Sequence, residues 1–190
     1  GTPFYSGDGG TLTTCAVTVT FDHIRITYDG SALTCEPESI TVQACADSTC
    51  SSTYNSDVSV TLTPTGWSSG DTQTISGGSG TFTLSKTTAA TYTLGVSSST
   101  PSASNSVQCV NTAAGNNSCN ITYYDTGFIY DVPNLTSCVT SANIQVKAVR
   151  LDNETKACIP TFKNATKTIN FWNTYSSPAT GAKNIVINNG

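Results

Sequence analysis

The feature that most limits what this chain can fold into is an alternation of apolar and polar side chains along almost its whole length. It runs through "VTVTF" (17–21), "IRITY" (24–28), "ITVQA" (40–44), "VSVTL" (58–62), "TFTLS" (81–85), "TYTLGV" (91–96), "NIQVKAV" (143–149) and "NIVIN" (184–188). A period of two sends successive side chains to opposite faces of an extended strand, whereas a helix needs apolar residues three and four apart. Between the runs stand "YDG", "SGG", "TPTG" and "SSSTPSASNS", residues that pre-set turns or tolerate positive φ. Short strands broken by such turns at intervals of about ten residues predict an all-β fold of tandem immunoglobulin-like β-sandwich modules. Ser and Thr make up about three in ten residues, and hydrophobic residues 37%. That balance is thin for one dense core. It suits sandwiches, in which Thr and Val share a strand and one face stays wet.

Charge narrows the function. Only 11% of residues are charged, the net charge is -4 and the pI is near 4.6. Nucleic acid demands clustered Lys and Arg, but the 8 basic residues are scattered, which also argues against a polybasic membrane patch. No apolar run approaches the ~20 residues with which a helix spans a bilayer. The sequence has no Met and no signal peptide, so a mature or excised fragment is expected. An even set of 8 cysteines in so uncharged a chain points to disulfides in an oxidising, extracellular or cell-surface setting.

An internal repeat organises these cysteines. Cys15 and Cys35 are 20 positions apart, as are Cys138 and Cys158, and a proline follows two residues after each second cysteine, in "CEP" (35–37) and "CIP" (158–160). "YDGSALTC" and "LDNETKAC" lead into them. After a four-residue shift "TVQACADSTC" (41–50) lies over "TINFWNTYSS" (168–177), and Val58 and Val60 lie over Ile185 and Ile187. The expected organisation is an N-terminal segment 1–14, a first module 15–104 and a second module 105–190. The Ser-rich stretch from Ser97 to Ser106 reads as an interdomain linker or a long exposed loop within one larger domain. Copy one runs on past Val60 where copy two stops at Gly190. The second module is therefore expected to be incomplete, or to borrow strands from segment 105–131 or from another chain. The repeat predicts equivalent bridges Cys15–Cys35 and Cys138–Cys158, which leaves Cys45–Cys50 and Cys109–Cys119 as local staples.

Other chemistries fit the residues poorly. Structural zinc wants close pairs such as C-x₂₋₄-C together with further Cys or His; Cys45-x₄-Cys50 is the one tight spacing and the chain has 1 His. Redox catalysis calls for C-x-x-C at a helix N-terminus, and no C-x-x-C occurs. His23, in "FDHIRIT", shares a strand face with Phe21 and Arg25, opposite Asp22, Ile24, Ile26 and Tyr28. It reads as a solvent-facing strand residue, and no G-x-S-x-G elbow supports a triad built on it. The acids Asp8, Asp29, Asp47, Asp71 and Asp152 stand in turns, where capping explains them better than paired-carboxylate hydrolysis or calcium binding. Trp67 and Trp172 could stack on sugars, though packing is the commoner use of such rings. Sequons at Asn116, Asn120, Asn134, Asn153 and Asn164 carry little weight in a chain this rich in Asn, Ser and Thr.

The segment "FDHIRITYDGSALTCEPESITVQACADSTC" (21–50), with its D-H-x-R-I and T-C-x-P-E motifs, resembles the β-rich region of the MshQ-like proteins of mannose-sensitive haemagglutinin (type IV pilus) gene clusters in Gram-negative bacteria. "TGFIYDVPN" (126–134) and "KACIPTFKNATKTINFWNTYSSPATG" (156–181) extend the resemblance over most of the chain. It implies an exported, pilus-linked or surface-adhesive protein, and it brings no catalytic residues. The expected function is a non-enzymatic structural or adhesive part of a pilus or filament, without cofactor or metal. Its expected partners are other copies of itself, other appendage proteins or surface glycans, with no nucleic acid and no membrane insertion. A carbohydrate-binding module using Trp67 or Trp172 is the alternative, and a secreted hydrolase the weakest reading.

Overall fold

The computed structural model describes residues 19–131, 144–162 and 168. Among them the regular structure is all strand: β1 (His23–Tyr28), β2 (Ser31–Leu33), β3 (Glu38–Cys45), β4 (Val58–Thr63), β5 (Thr72–Ile75), β6 (Ser79–Leu84), β7 (Thr91–Thr93), β8 (Gly95–Thr100), β9 (Gln108–Asn111), β10 (Asn120–Tyr124), β11 (Thr126–Asp131), β12 (Gln145–Leu151) and β13 (Cys158–Pro160). They form four sheets, ordered β6-β3-β1-β9, β2-β10-β7, β5-β4-β8 and β11-β12-β13. The described residues are thus all-β, as the alternation predicts, and stapled by disulfides, as the cysteines predict. No helix among the described residues is long and apolar enough to cross a membrane.

The alternating runs bury the faces that their period dictates. In β1, Ile24, Ile26 and Tyr28 are buried; in β3, Ile40, Val42 and Ala44; in β4, Val58, Val60 and Leu62. The antiparallel register sets Ile24 opposite Ala44 and Ile26 opposite Val42, so the two strands supply one continuous apolar surface. Ile75, Leu84, Leu94, Ile121 and Tyr123 join the same core. Tyr123 crosses that core and donates its hydroxyl to the Leu84 carbonyl at 2.9 Å, its ring meeting Tyr92 edge-on at 5.7 Å. Tyr28 likewise donates to the Ser118 and Asn120 carbonyls. Both phenols thereby satisfy the polar end of a ring whose body is apolar. Gly30, in the β1–β2 turn, has φ +93, and a Cβ there would run into the Asn111 side-chain amide, so only glycine serves.

Several expectations are corrected here. Residues 19–21 of the "VTVTF" run form no strand, and residues 1–18 lie outside the described part. The stretch from Ser97 to Ser106 is not simply a linker. Its first residues belong to β8, which pairs antiparallel with β4 through Ser99↔Val60 and Ser98↔Thr61. Ladder bonding uses the backbone, and an edge strand tolerates side chains that stay in water; lack of apolar residues therefore does not preclude a strand.

The strand pairing also crosses the expected 104/105 boundary. β9 runs parallel to β1, with Ile26 opposite Cys109, and β10 pairs with both β2 and β7. Residues 108–124, taken from the sequence as a source of strands for the second module, instead complete the first core. A parallel partner such as β9 can only arrive by a long connection, which local patterning does not reveal. Only β11 from segment 105–131 joins the small C-terminal sheet, opposite β12. The expected strand "NIVIN" lies outside the described residues.

The small sheet meets the larger body along a short seam. Asp125 alone separates β10 from β11. Its carboxylate accepts from the Thr34 hydroxyl at 2.8 Å, and its carbonyl accepts from Leu151 N–H at 2.7 Å. Gly127 approaches the Leu33 side chain so closely that a Cβ would collide with it. The seam is locked covalently by Cys35–Cys158, with Cα atoms 4.9 Å apart. This replaces the expected Cys15–Cys35 and Cys138–Cys158 bridges; Cys15 and Cys138 lie outside the described residues.

Candidate functional site

The densest gathering of reactive side chains begins in strand register. The β1–β3 ladder sets His23 directly opposite Cys45, at the end of both strands, and Asp22 N–H donates to the Cys45 carbonyl at 2.8 Å. The chain then turns back at once, because Cys45 is bonded to Cys50, five residues on. A ring nitrogen of His23 and the two Sγ atoms consequently lie within 4.8 Å of one another.

The 46–52 loop is held independently of its disulfide. The Asp47 carboxylate accepts from Thr49 N–H and Oγ1, from Ser51 N–H and Oγ, and from Ser52 N–H. These donors, Thr49 first, hold its carboxyl well below the usual range. Arg25 donates to the Thr49 carbonyl at 2.7 Å, tying the loop to β1, and Gln108 Nε2 donates to the Ser48 carbonyl, tying it to β9. Cys50 sits at φ +56, a left-handed conformation uncommon for a residue with a side chain. Such a conformation persists only where its surroundings enforce it.

The structure corrects the expectation that His23 faces solvent: its side chain is fully buried. The face of β1 bearing His23 and Arg25 is roofed at this end by the 46–52 loop, to which Arg25 is hydrogen-bonded. On the other side Asn105 N–H donates to the Asp22 carbonyl and Asn105 Nδ2 to the Asp22 carboxylate. His23 Nδ1 lies 2.7 Å from Asp22 Oδ1. Nε2 is buried and has no hydrogen-bond partner. The clue in the sequence was Phe21, a large apolar neighbour on the supposedly wet face. It packs against Tyr54 with centroids 5.3 Å apart.

Trp67, a candidate sugar platform, is 4% exposed and forms part of the core. A buried indole cannot stack on a glycan, so its role is packing. Trp172 lies outside the described residues. Of the cysteines, Cys109 and Cys119 are bonded across a ten-residue separation and staple β9 to the start of β10.

Exposed rings instead cluster on the small sheet. Tyr130 is 58% exposed, Phe128 46% and Val146 36%. Register sets Tyr130 opposite Val146 and Phe128 opposite Ala148, so these four share one face, while Val149 and Leu151 on the other are buried toward the seam. Sequence reasoning did not single out this strip, since in β11 a buried and an exposed apolar residue look alike.

Comparison with known families divides the chain into two adjoining spans. Residues 21–102 match the model of a domain of unknown function, DUF8613. No curated protein and no solved structure matches the chain. Residues 106–190 match the model described as a domain of unknown function (DUF6701), first Ig-like domain, in keeping with the β-sandwich character of the strands.

Proposed function

We propose that this chain is a non-enzymatic structural or adhesive component of an extracellular bacterial appendage, a pilus or filament, and that it associates with further copies of itself or with other appendage proteins. The observation that carries this reading is the exposed apolar strip of Phe128, Tyr130 and Val146. Contiguous apolar groups on a soluble surface mark an interaction site, and aromatic rings are enriched where proteins meet. The immunoglobulin-like match and three disulfides are what an extracellular spacer or adhesive module needs. The resemblance to MshQ-like proteins supplies the finer placement in a pilus-linked setting.

Sedimentation velocity and electron microscopy of the full chain test the reading. The protein is expected to associate with rising concentration, and the double variant Phe128→Ser/Tyr130→Ser to remain monomeric with unchanged circular dichroism. A wild-type chain that stays monomeric and shows only isolated particles defeats the self-association on which the reading rests.

A further inference from the structure

We propose that His23, Cys45 and Cys50 form a redox-gated site for a soft, low-coordinate cation of the monovalent copper type, closed while the disulfide stands and opened when a dithiol or phosphine reductant cleaves it. Reduction adds two electrons and two protons to the Cys45–Cys50 bond and yields two thiols. The cation then displaces both thiol protons and takes the two thiolates and one imidazole nitrogen as ligands.

Four features carry the inference. A ring nitrogen of His23 and both sulfurs already lie within 4.8 Å of one another. A carboxylate can only accept, so the contact with Asp22 places the proton of neutral His23 on Nδ1. In that tautomer the lone pair is on Nε2, which is buried and without a hydrogen-bond partner. A carboxylate on one nitrogen and a metal on the other is the usual way a ligating histidine is oriented. The loop bearing Cys50 is pinned by Asp47 and Arg25, so cleaving the disulfide leaves both sulfurs near their present positions.

Ligand chemistry selects the metal. Two thiolates and an imidazole are soft to borderline donors that favour monovalent copper or zinc. Zinc completes a tetrahedron with a fourth ligand, whereas the site offers three donors in a setting where His23 and Cys45 are fully buried. Arg25, two residues from His23 on the same face of β1, donates to the carbonyl of Thr49, the residue before Cys50, and so sets a positive charge on the loop that carries one of the thiolates.

The test uses the full chain with monovalent copper in competition with a chromogenic chelator, before and after phosphine reduction. The oxidised protein should take up no copper and the reduced protein should hold one equivalent that depends on Cys45, Cys50 and His23. Cys45→Ser should abolish that equivalent, His23→Gln should weaken it at least tenfold, and Asp22→Asn should weaken it by about ten- to hundredfold. Cys109→Ser/Cys119→Ser should retain it. His23 is the one histidine in the chain, so its ¹⁵N resonances report on the wild type even where a variant fails to fold, and Nε2 should shift on copper addition while Nδ1 keeps its proton. Copper binding unchanged by Cys45→Ser, binding by zinc but not copper, or an Nε2 resonance that does not move overturns the proposal.

Discussion

The Cys35–Cys158 bridge makes the sharpest demand on stability. It spans a sequence separation of 123, against 5 for Cys45–Cys50 and 10 for Cys109–Cys119. In the chain-entropy account, closing a loop of that length removes about 5 kcal/mol of unfolded-state entropy at 25 °C, against roughly 2 and about 3 kcal/mol for the two short staples. Replacing both cysteines avoids a stray thiol, so Cys35→Ser/Cys158→Ser isolates the bridge. With a urea slope of roughly 2–3 kcal/mol/M for a chain of this size, the midpoint should fall by about 2 M. Cys45→Ser/Cys50→Ser should lower it by about 1 M. Urea titration followed by far-ultraviolet circular dichroism measures both. Non-reducing peptide mapping checks the premise by recovering one peptide pair containing Cys35 and Cys158. A loss no greater than that of the five-residue staple, or a peptide joining Cys35 to Cys15, refutes the reasoning.

Two further substitutions probe the core and its rim. Burial first, then repulsion from Asp29 and Glu36, raises the Glu38 carboxyl to about 7. A carboxyl raised on folding favours the folded state most below its unfolded pKa, and that contribution is lost as pH climbs through the folded value. Unfolding midpoints should therefore rise as pH is lowered from 8 to 5, and Glu38→Gln should flatten that rise; a wild-type curve already flat across this window contradicts it. Tyr123→Phe deletes the buried hydrogen bond to the Leu84 carbonyl and leaves that acceptor without its phenol, at a cost of about 1–3 kcal/mol in chemical denaturation. A loss below about 0.5 kcal/mol would mean that the hydroxyl is not part of what fixes β10 against β6.

How far this fold was legible in the sequence depends on the range of the interaction involved. β1, β3, β4 and β6 coincide with alternating runs because one buried face per strand is a local property, visible in five or six residues. β12 also falls on such a run, but there the alternating apolar positions Ile144 and Val146 are exposed, and Val149 and Leu151 on the other face are buried. β9 was not legible, since its place beside β1 depends on a parallel pairing across the whole stretch of chain between Tyr28 and Gln108. β8 was obscured because Ser at an edge satisfies the ladder with backbone groups and leaves no apolar mark. His23 was misplaced for a related reason. Alternation identifies its face correctly, but whether that face is wet depends on the 46–52 loop folding over it.

The repeat shows how a correct pattern can lead to a wrong bond. Shifted by the 123 positions that separate Cys35 from Cys158, the strand–turn–cysteine unit of β1 falls on β12. Tyr28 then lies over Leu151, both buried, and Asp29 over Asp152, each accepting from backbone N–H groups of its own turn. Among the described residues the likeness of the two copies extends to this one strand and turn. Pairing within each copy assumes, however, that the copies fold as separate units. They meet instead where Asp125 passes the chain directly from β10 to β11, bringing the two turns to one seam. Equivalent cysteines of the two copies are then nearest neighbours, and they bond to each other. Disulfide pairing follows distance in the folded chain, and distance here is set by how the copies dock, which spacing within a copy does not encode.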